Sequence, residues 1–351
     1  MAIDRRSVLG LSAGSAAGAL LPTPSRATPQ PLGSLGLDVT HFGVNAGSPD
    51  DQSDALQRAI DASADARVPL WLPAGTYIAA DLVLKPFKDE LFAYPGILSS
   101  GMDGAHRVVD YREERDINGR DAIPERRAQG KYIATGVRKV QKDLILNSSV
   151  GKVRHVAVGR TEGARVIAVY LHGQGGSRKQ GVDDFTFGGN FNRIKNLMAQ
   201  NGGLYLSPDF TDFGDKGAAQ VAALIAYYAG ASPEAEIFVA CGSMGGMLCW
   251  RLAEHPDISA RLSGLLLLGS LWDQSFLSSP AFRQKVPVFF GHGSGDKVFP
   301  VEKQEAFFRA VLEKSPGYPA RFVRFETGSH GTPIRMTDWR ETLNWMLSVK
   351  R

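Results

Sequence analysis

From Val137 to the end of the chain, segments with the periodicity of strands alternate with segments that have the periodicity of helices. The runs VQKDLIL and VRHVAVG alternate apolar and polar residues around NSSVGK, which predicts a β-hairpin. The next run, RVIAVYLHG, is continuously apolar, as expected for a strand that is covered on both faces. Helical and strand patterns then follow in turn. Because this alternation builds parallel βαβ units, we predict an α/β fold with a mostly parallel, eight-stranded sheet and helices on both faces.

Four of the predicted strands end in loops that combine glycine with serine, aspartate or histidine. These loops read HGQGG (172–176), CGSMG (241–245), GHGSGD (291–296) and TGSHG (327–331). Ligands of open α/β sheets bind at the carboxyl ends of the strands. One edge of the sheet is therefore predicted to present Ser243, Asp296 and His330, in this order along the chain.

This order and layout resemble the α/β-hydrolase family, in particular its esterase, dienelactone-hydrolase and small-lipase branch, and the resemblance covers residues 137–351. It implies that Ser243 is a nucleophile raised on a strand-to-helix turn. His330 would be the base that takes its proton and returns it to the leaving group. Asp296 would hold the tautomer of His330 and stabilise the imidazolium.

The resemblance also implies an oxyanion hole made of two backbone N–H groups, those of Met244 and Gln174. The family's Gly-x-Ser-x-Gly pattern is changed here, because Cys241 stands in place of the first glycine. Cysteine is small enough for the turn to close. We interpret Cys241 and Cys249 as two small buried side chains rather than as a disulfide.

Each candidate side chain also has a structural interpretation. Ser243 could fill a tight turn, Asp296 could cap the following helix, and His330 could be a surface histidine. Asp273 is an alternative acid, because it follows the preceding strand and some α/β-hydrolases place the acid there. We interpret His292, inside the GHGSGD loop, as a packing residue.

The segment LWDQSFLSSPAF (271–282) is interpreted as part of the wall of a substrate pocket. Trp272 and Phe276 would line an acyl or aromatic subsite, and core packing is the alternative for both. Arg178 follows the oxyanion loop and would favour an anionic substrate group if it faces the site. A solvated surface position is the alternative for Arg178. No large insertion separates the strands, so we expect a short, open cleft.

Residues 1–27 have the features of an export signal: the charged start DRRSVL, the weakly apolar run SVLGLSAGSAAGALL and the small residues of SRA. The paired Arg5 and Arg6 resemble a twin-arginine signal, so we expect a periplasmic or secreted protein. The apolar run is shorter than the ~18 residues that span a membrane, and we expect no stable membrane insertion after the signal is removed.

The remaining segments suggest a modular chain. Residues 28–37 are rich in Pro, Gly and Ser and are interpreted as a linker. Residues 38–84 are a small α+β segment that resembles the start of right-handed parallel β-helix proteins of the pectate-lyase type, through DVTHFGVNAG, DALQRAIDA and WLPAGTY. No repeat follows, so we interpret the segment as an orphan cap or fusion remnant. Residues 85–136 are predicted to be an irregular, solvated connector to the catalytic domain, residues 137–351.

These observations predict an exported serine hydrolase that cleaves a carboxylic ester, free or attached to a polymer, through an acyl-enzyme. A peptidase, an amidase or a thioesterase would use the same triad. A non-catalytic glycan-binding module is the alternative from another class. The formal net charge of +4 is small and the charges are interspersed, so nucleic acid is not an expected partner. We expect no metal, because no metal-ligand spacing appears in the sequence, and we expect no cofactor.

Overall fold

A computed structural model describes residues 36–48, 52–77, 83–124 and 126–349. The expected export signal and all but the last two residues of the expected linker lie outside the described residues. The chain divides into two compact units, Met1–Val83 and Leu84–Arg351. Each unit is described here by itself.

The first unit contains a parallel pair of short strands, β1 (Leu37–Asp38) and β2 (Leu70–Trp71), with the helix α1 (Ser53–Ala66) between them in the chain. Its small core is formed by Val39, Val44 and Ala59. The α+β character expected of this segment agrees with these elements. Its relation to β-helix proteins stays a prediction.

The second unit is built around one ten-stranded sheet. Its strands, together with the two-stranded pair β5–β6, are β3 (Ile97–Gly101), β4 (His106–Val109), β5 (Asp121–Ala122), β6 (Arg127–Ala128), β7 (Gln141–Ser148), β8 (Gly151–Gly159), β9 (Val166–Leu171), β10 (Leu204–Pro208), β11 (Glu236–Gly242), β12 (Leu262–Leu268), β13 (Val288–Gly293) and β14 (Ala320–Phe325). The order across the sheet is β3-β4-β14-β13-β12-β11-β9-β10-β8-β7. Strands from β4 to β10 in this order run parallel, and the pairs β3–β4, β10–β8 and β8–β7 are antiparallel.

Helices cover both faces of this sheet. They are α2 (Asp89–Phe92), α3 (Asn190–Gln200), α4 (Asp215–Ala231), α5 (Gly246–Glu254), α6 (Pro256–Ser259), α7 (Pro280–Arg283), α8 (Val301–Lys314), α9 (Thr332–Met336) and α10 (Trp339–Val349). Adjacent residues of β9 point to opposite faces of the sheet. Val169 belongs to the core shared with α4, α5 and α8, whereas Tyr170 packs its ring against Phe191 of α3. The predicted α/β class with a mostly parallel sheet is confirmed.

The predicted number of eight strands is wrong, because β3 and β4 extend the sheet beyond β14. Both strands lie in the segment 85–136 that was predicted to be an irregular connector. In the parallel pair β4–β14, Val108 is opposite Arg324 and Val109 is opposite Phe325. The two strands have only five and four residues, so their alternating pattern is too short to stand out from the charged sequence around them.

The connector segment also carries buried charge rather than only solvated charge. Arg120, Asp116 and Asp121 are each at most 5% exposed. Asp121 pairs with Arg335 of α9 at 2.6 Å, and the guanidinium of Arg120 lies over the rings of Phe92 and Tyr132. Burial, and after it the nearby charge of Arg335, lower the pKa of Arg120 to about 10.

The two cysteines differ from their predicted state. Both are fully buried, as expected, but the structure joins Cys241 and Cys249 in a disulfide. Their Cα atoms are 6.5 Å apart, inside the range that a disulfide spans. The turn after β11 brings α5 back against that strand, and the sequence spacing alone did not indicate this packing.

No helix within the described ranges is long and apolar enough to cross a membrane.

Candidate active site

Ser243 lies directly after β11, on a turn that most side chains avoid. Its φ is 51°, in the left-handed region, and such a conformation costs a non-glycine residue of order 1–3 kcal/mol. A short 3-10 turn over Ser243–Gly245 then leads into α5. The hydroxyl of Ser270, just past β12, donates a 2.6 Å hydrogen bond to the carbonyl oxygen of Ser243 and holds the turn. The Ser243 side chain is therefore lifted out of the sheet and is only partly buried.

Three predicted side chains meet at this turn. The Oγ of Ser243 lies 2.9 Å from the Nε2 of His330, and the Nδ1 of His330 lies 2.8 Å from the Oδ2 of Asp296. A carboxylate can only accept, so Nδ1 carries the proton and Nε2 presents its lone pair to the serine hydroxyl. The side chain of His330 is 29% exposed, whereas that of Asp296 is 0% exposed.

The loops that carry the acid and the histidine are joined by three hydrogen bonds, two between backbone groups and one to the hydroxyl of Ser294. Ser294 donates its N–H to the carbonyl of Phe325, and its hydroxyl oxygen accepts the N–H of Thr327 at 2.7 Å. Gly295 donates to the carbonyl of Gly328 at 2.8 Å. These bonds fix the loops after β13 and β14 against each other, which sets the distance between the two side chains.

The carboxylate of Asp296 is buried but fully supplied with donors. Its Oδ1 accepts the N–H groups of Val298 (2.8 Å) and Phe299 (3.0 Å), and its Oδ2 accepts from His330 and lies 3.3 Å from the Nε2 of His292. Burial on its own would raise the pKa of Asp296. The bonds from His292, His330 and the two N–H groups outweigh burial and hold this pKa far below its usual range, so the acid stays ionised.

His292 contacts the acid as well as packing in the core. Its ring is 0% exposed, and its Nε2 donates to the carbonyl of Phe299 at 2.8 Å. The same N–H lies 3.3 Å from Asp296 and is shared between the two acceptors. The packing role predicted for His292 omits this contact. The spacing His-x-x-x-Asp within one tight loop is the sequence signal for it.

Asp273, the alternative acid, does not contact His330. Its Oδ1 accepts the N–H of Ser275 at 2.9 Å and caps the short 3-10 helix Gln274–Ser278. Nor does Asp296 cap the helix that follows it, since the N-cap of α8 is Pro300. Of the two carboxylates, the structure places Asp296 beside the base.

The loop that contains Gln174 lies against the turn of Ser243. A Cβ built on Gly173 would lie 2.8 Å from the Cβ of Ser243, so only glycine permits this approach. The turn closes with a 3.1 Å bond from the N–H of Gly176 to the carbonyl of Gly173. Gln174, which directly follows Gly173, is exposed. Met244 lies in the turn Ser243–Gly245 that leads into α5, and the first N–H groups of a helix have no partner inside it.

The residues predicted to line the substrate pocket do not all do so. Phe276 is 0% exposed and packs against Trp250 and Phe307 in the core, so its assignment to a subsite is wrong. Trp272 is half-buried and packs against the same core. Phe276 packs in the core because the segment after β12 folds back against α5 and α8.

Arg178 is not available to an anionic substrate. It pairs with Asp209 at 2.6 Å and with Asp143 at 2.9 Å, and only 16% of its side chain is exposed. Both carboxylates come from neighbouring strands or loops far away in the chain, so the sequence could not show that they neutralise it.

The chemistry open to this arrangement is nucleophilic attack by a serine with an oriented base. No group of His, Cys, Asp and Glu side chains in the described ranges could hold a metal ion.

No protein-family model and no curated protein matches the chain. Among solved structures, it is similar to an α/β serine hydrolase homologue from Coxiella burnetii, with 16% identity, a TM-score of 0.44, and coverage of 57% of this chain and 95% of that one. It is also similar to an α/β serine hydrolase without lid from Xanthomonas campestris (18% identity, TM-score 0.44, 59% and 93% covered) and to an esterase from Pyrococcus furiosus (18%, 0.43, 59% and 91%). These TM-scores lie below 0.5, so the fold assignment rests on the chain's own strand order.

The substitution Gly173→Ala tests the position of the Gln174 loop. The new Cβ would collide with the Cβ of Ser243 and push the loop away, removing one oxyanion donor. We expect kcat on an activated ester to fall roughly 10²- to 10³-fold with little change in KM. Gly136→Ala is the matched control, because a Cβ there meets no atom within 4 Å. Unchanged kcat in Gly173→Ala would rule out this loop as a donor.

The substitution His292→Phe tests the second histidine. Without its N–H, more of the negative charge of Asp296 acts on His330 and stabilises the protonated ring, which cannot accept the serine proton. We expect the acid limb of the pH profile of kcat/KM to move to higher pH. His292→Gln keeps an N–H of similar reach and should stay close to the unmutated profile. A loss of activity with an unmoved limb would leave His292 with a packing role alone.

Proposed function

We propose that this protein is a serine hydrolase of the α/β-hydrolase type that cleaves a carboxylic ester. The observation that carries the proposal is the unbroken chain of hydrogen bonds from Asp296 through His330 to Ser243. It lies where β11, β13 and β14 end, at one edge of the sheet. The left-handed backbone of Ser243 supports it further, because strain of this kind persists where a side chain must be presented.

In the proposed reaction, the Oγ of Ser243 attacks the ester carbonyl while the Nε2 of His330 takes its proton. Asp296 stabilises the imidazolium that forms. The N–H groups of Met244 and Gln174 stabilise the oxyanion, each with a contribution of about 3 kcal/mol. His330 then protonates the leaving alcohol, which leaves an acyl group on Ser243. Water, activated by the same base, releases the acid and restores the serine.

An ester is the proposed bond because it needs no more than this machinery. Amides and thioesters are open to the same three side chains and belong in the test. The substrate is proposed to be a small ester or one attached to a polymer, with no cofactor taking part.

The central test is labelling of the purified protein with a fluorophosphonate probe, which reacts with activated serines. We expect labelling of the unmutated protein and its loss in Ser243→Ala, because the Oγ is the attacked atom. In His330→Ala the labelling rate should fall by several orders of magnitude, because the base is gone. Ser278→Ala removes an exposed serine outside the site and serves as the control.

A panel of ester, thioester and amide substrates then identifies the bond. Turnover of esters alone supports the proposal, whereas preferred turnover of amides would make the protein a peptidase or amidase. A folded protein that is neither labelled nor active would overturn the hydrolase proposal and favour a glycan-binding protein.

We also propose that the protein is exported through a twin-arginine signal, which lies in the residues outside the structure. The support is the paired Arg5 and Arg6 ahead of a weakly apolar run that ends in small residues.

Replacing Arg5 and Arg6 together by lysine tests the route of export. In a bacterium with a twin-arginine pathway we expect the variant to stay in the cytoplasm with its leader attached, because that pathway reads the arginine pair. Cell fractionation and the mass of the N-terminal peptide report the outcome. Export and cleavage that proceed unchanged would exclude this route.

A further inference from the structure

A strained turn lies next to the candidate site without belonging to the hydrogen-bonded chain. Phe187, Gly188 and Gly189 have φ values of 48°, 62° and 79°, three left-handed residues in a row. Glycine adopts this region freely, but phenylalanine does so at a cost of order 1–3 kcal/mol. A strained aromatic residue in front of two glycines requires an explanation from its surroundings.

Buried charges hold this turn in place. The Nη2 of Arg120 donates to the carbonyl of Gly188 at 3.1 Å. A Cβ on Gly188 would lie 2.7 Å from the Nη1 of Arg335. The guanidinium of Arg335 donates two hydrogen bonds to Asp121, from Nη2 at 2.6 Å and from Nη1 at 3.0 Å. The turn also closes on itself, since the N–H of Gly189 donates to the carbonyl of Thr186 at 3.0 Å. The bonds at Gly188 and Gly189 therefore fix the turn that contains Phe187.

This turn places the ring of Phe187 next to Gly331, the residue that follows His330. The Cε1 of Phe187 lies 3.5 Å from the position that a Cβ on Gly331 would occupy, and Gly331 directly follows His330. Behind it, the ring meets Phe191 of α3 edge-to-face at 5.5 Å. Phe187 is nevertheless only partly buried, so part of the ring remains open to a ligand.

The acid loop adds more apolar surface at the same place. The ring of Phe299 meets the ring of His330 edge-to-face, with centroids 5.5 Å apart, and Phe299 is also only partly buried. The neighbouring Val298 is 56% exposed. Two loops from different parts of the chain thus present apolar side chains near one histidine, while Arg178 is neutralised by its own carboxylates.

We propose that Phe187 determines substrate specificity and that the preferred esters carry an aromatic or bulky apolar alcohol. This inference rests on the proposed hydrolase function. The leaving oxygen must come within hydrogen-bond reach of the Nε2 of His330, so groups beside His330 contact the alcohol part of the ester. The edges and faces of Phe187 and Phe299 favour an aromatic ring there.

The test compares two acetates with alcohols of similar reactivity, benzyl acetate and ethyl acetate. We expect the unmutated protein to prefer benzyl acetate in kcat/KM. In Phe187→Ala this preference should fall roughly three- to tenfold, mainly through a higher KM for the benzyl ester. Phe187→Gly removes the same ring and relieves the left-handed strain, so it gives the same result if the alanine variant folds poorly.

Phe185→Ala is the matched control, because it removes a ring from the same loop that stacks on Arg127. We expect it to keep the benzyl preference. A second series with a fixed ethyl alcohol compares acetate with benzoate, and the Phe187 variants should leave this ratio unchanged.

Several results would overturn the inference. In the first, the unmutated protein reacts with the fluorophosphonate probe but hydrolyses the two acetates equally, or hydrolyses neither. In the second, the Phe187 variants lose activity on both acetates to the same extent. In the third, the Phe187 variants change the acetate-to-benzoate ratio instead of the benzyl preference. Failure of the hydrolase proposal is distinguishable, because the unmutated protein would then not react with the probe.

Discussion

The buried carboxylate of Asp296 is the group on which the rest of the candidate site depends. Its side chain is fully buried, and an unpaired charge in such a place would cost several kcal/mol. The loop after β13 can therefore close only in a conformation that supplies donors, and the N–H groups of Val298 and Phe299 provide two of them. Because His330 is another donor, burial of the acid also fixes the orientation of the base. The position of the base then decides which way the hydroxyl of Ser243 points.

Much of this fold could be predicted from local patterns in the sequence. Every predicted strand from 137 onward is long or strongly apolar, and a period of two or a continuous apolar run survives in it. β3 and β4 could not be found in this way, because β4 is stabilised by pairing with β14, and β3 by pairing with β4, rather than by their own patterns. The disulfide between Cys241 and Cys249 was missed for a similar reason, since it depends on how α5 packs against β11.

At the site, the sequence could predict the residues in loops that directly follow strands. It could not predict the roles of residues that depend on contacts with distant parts of the chain. Ser243, Asp296 and His330 come together because the carboxyl ends of parallel strands share one edge. Arg178 follows such a strand too, but its distant carboxylate partners remove it from any role with an anion. Phe187 follows no strand, and its importance shows only in its backbone angle and in the groups that hold it.

Ser243 and Phe187 both hold left-handed backbone conformations although neither is a glycine, and different contacts support them. The serine is held by β11 and by the bond from Ser270, whereas the turn of Phe187 is held by the bond from Arg120 to Gly188, with Arg335 packed close to the same glycine. Breaking a buried pair such as Arg335 with Asp121 costs about 3–5 kcal/mol. The left-handed backbone of Phe187 would then lose part of its support and relax to a less strained conformation. Arg120 and Asp121, in the segment 85–136, thus support the proposed substrate side of the site, and the parallel strands support the proposed reacting groups. Different contacts maintain the substrate side and the reacting groups. Substitutions in the segment 85–136 can therefore alter specificity while the bonds from Asp296 to Ser243 remain in place.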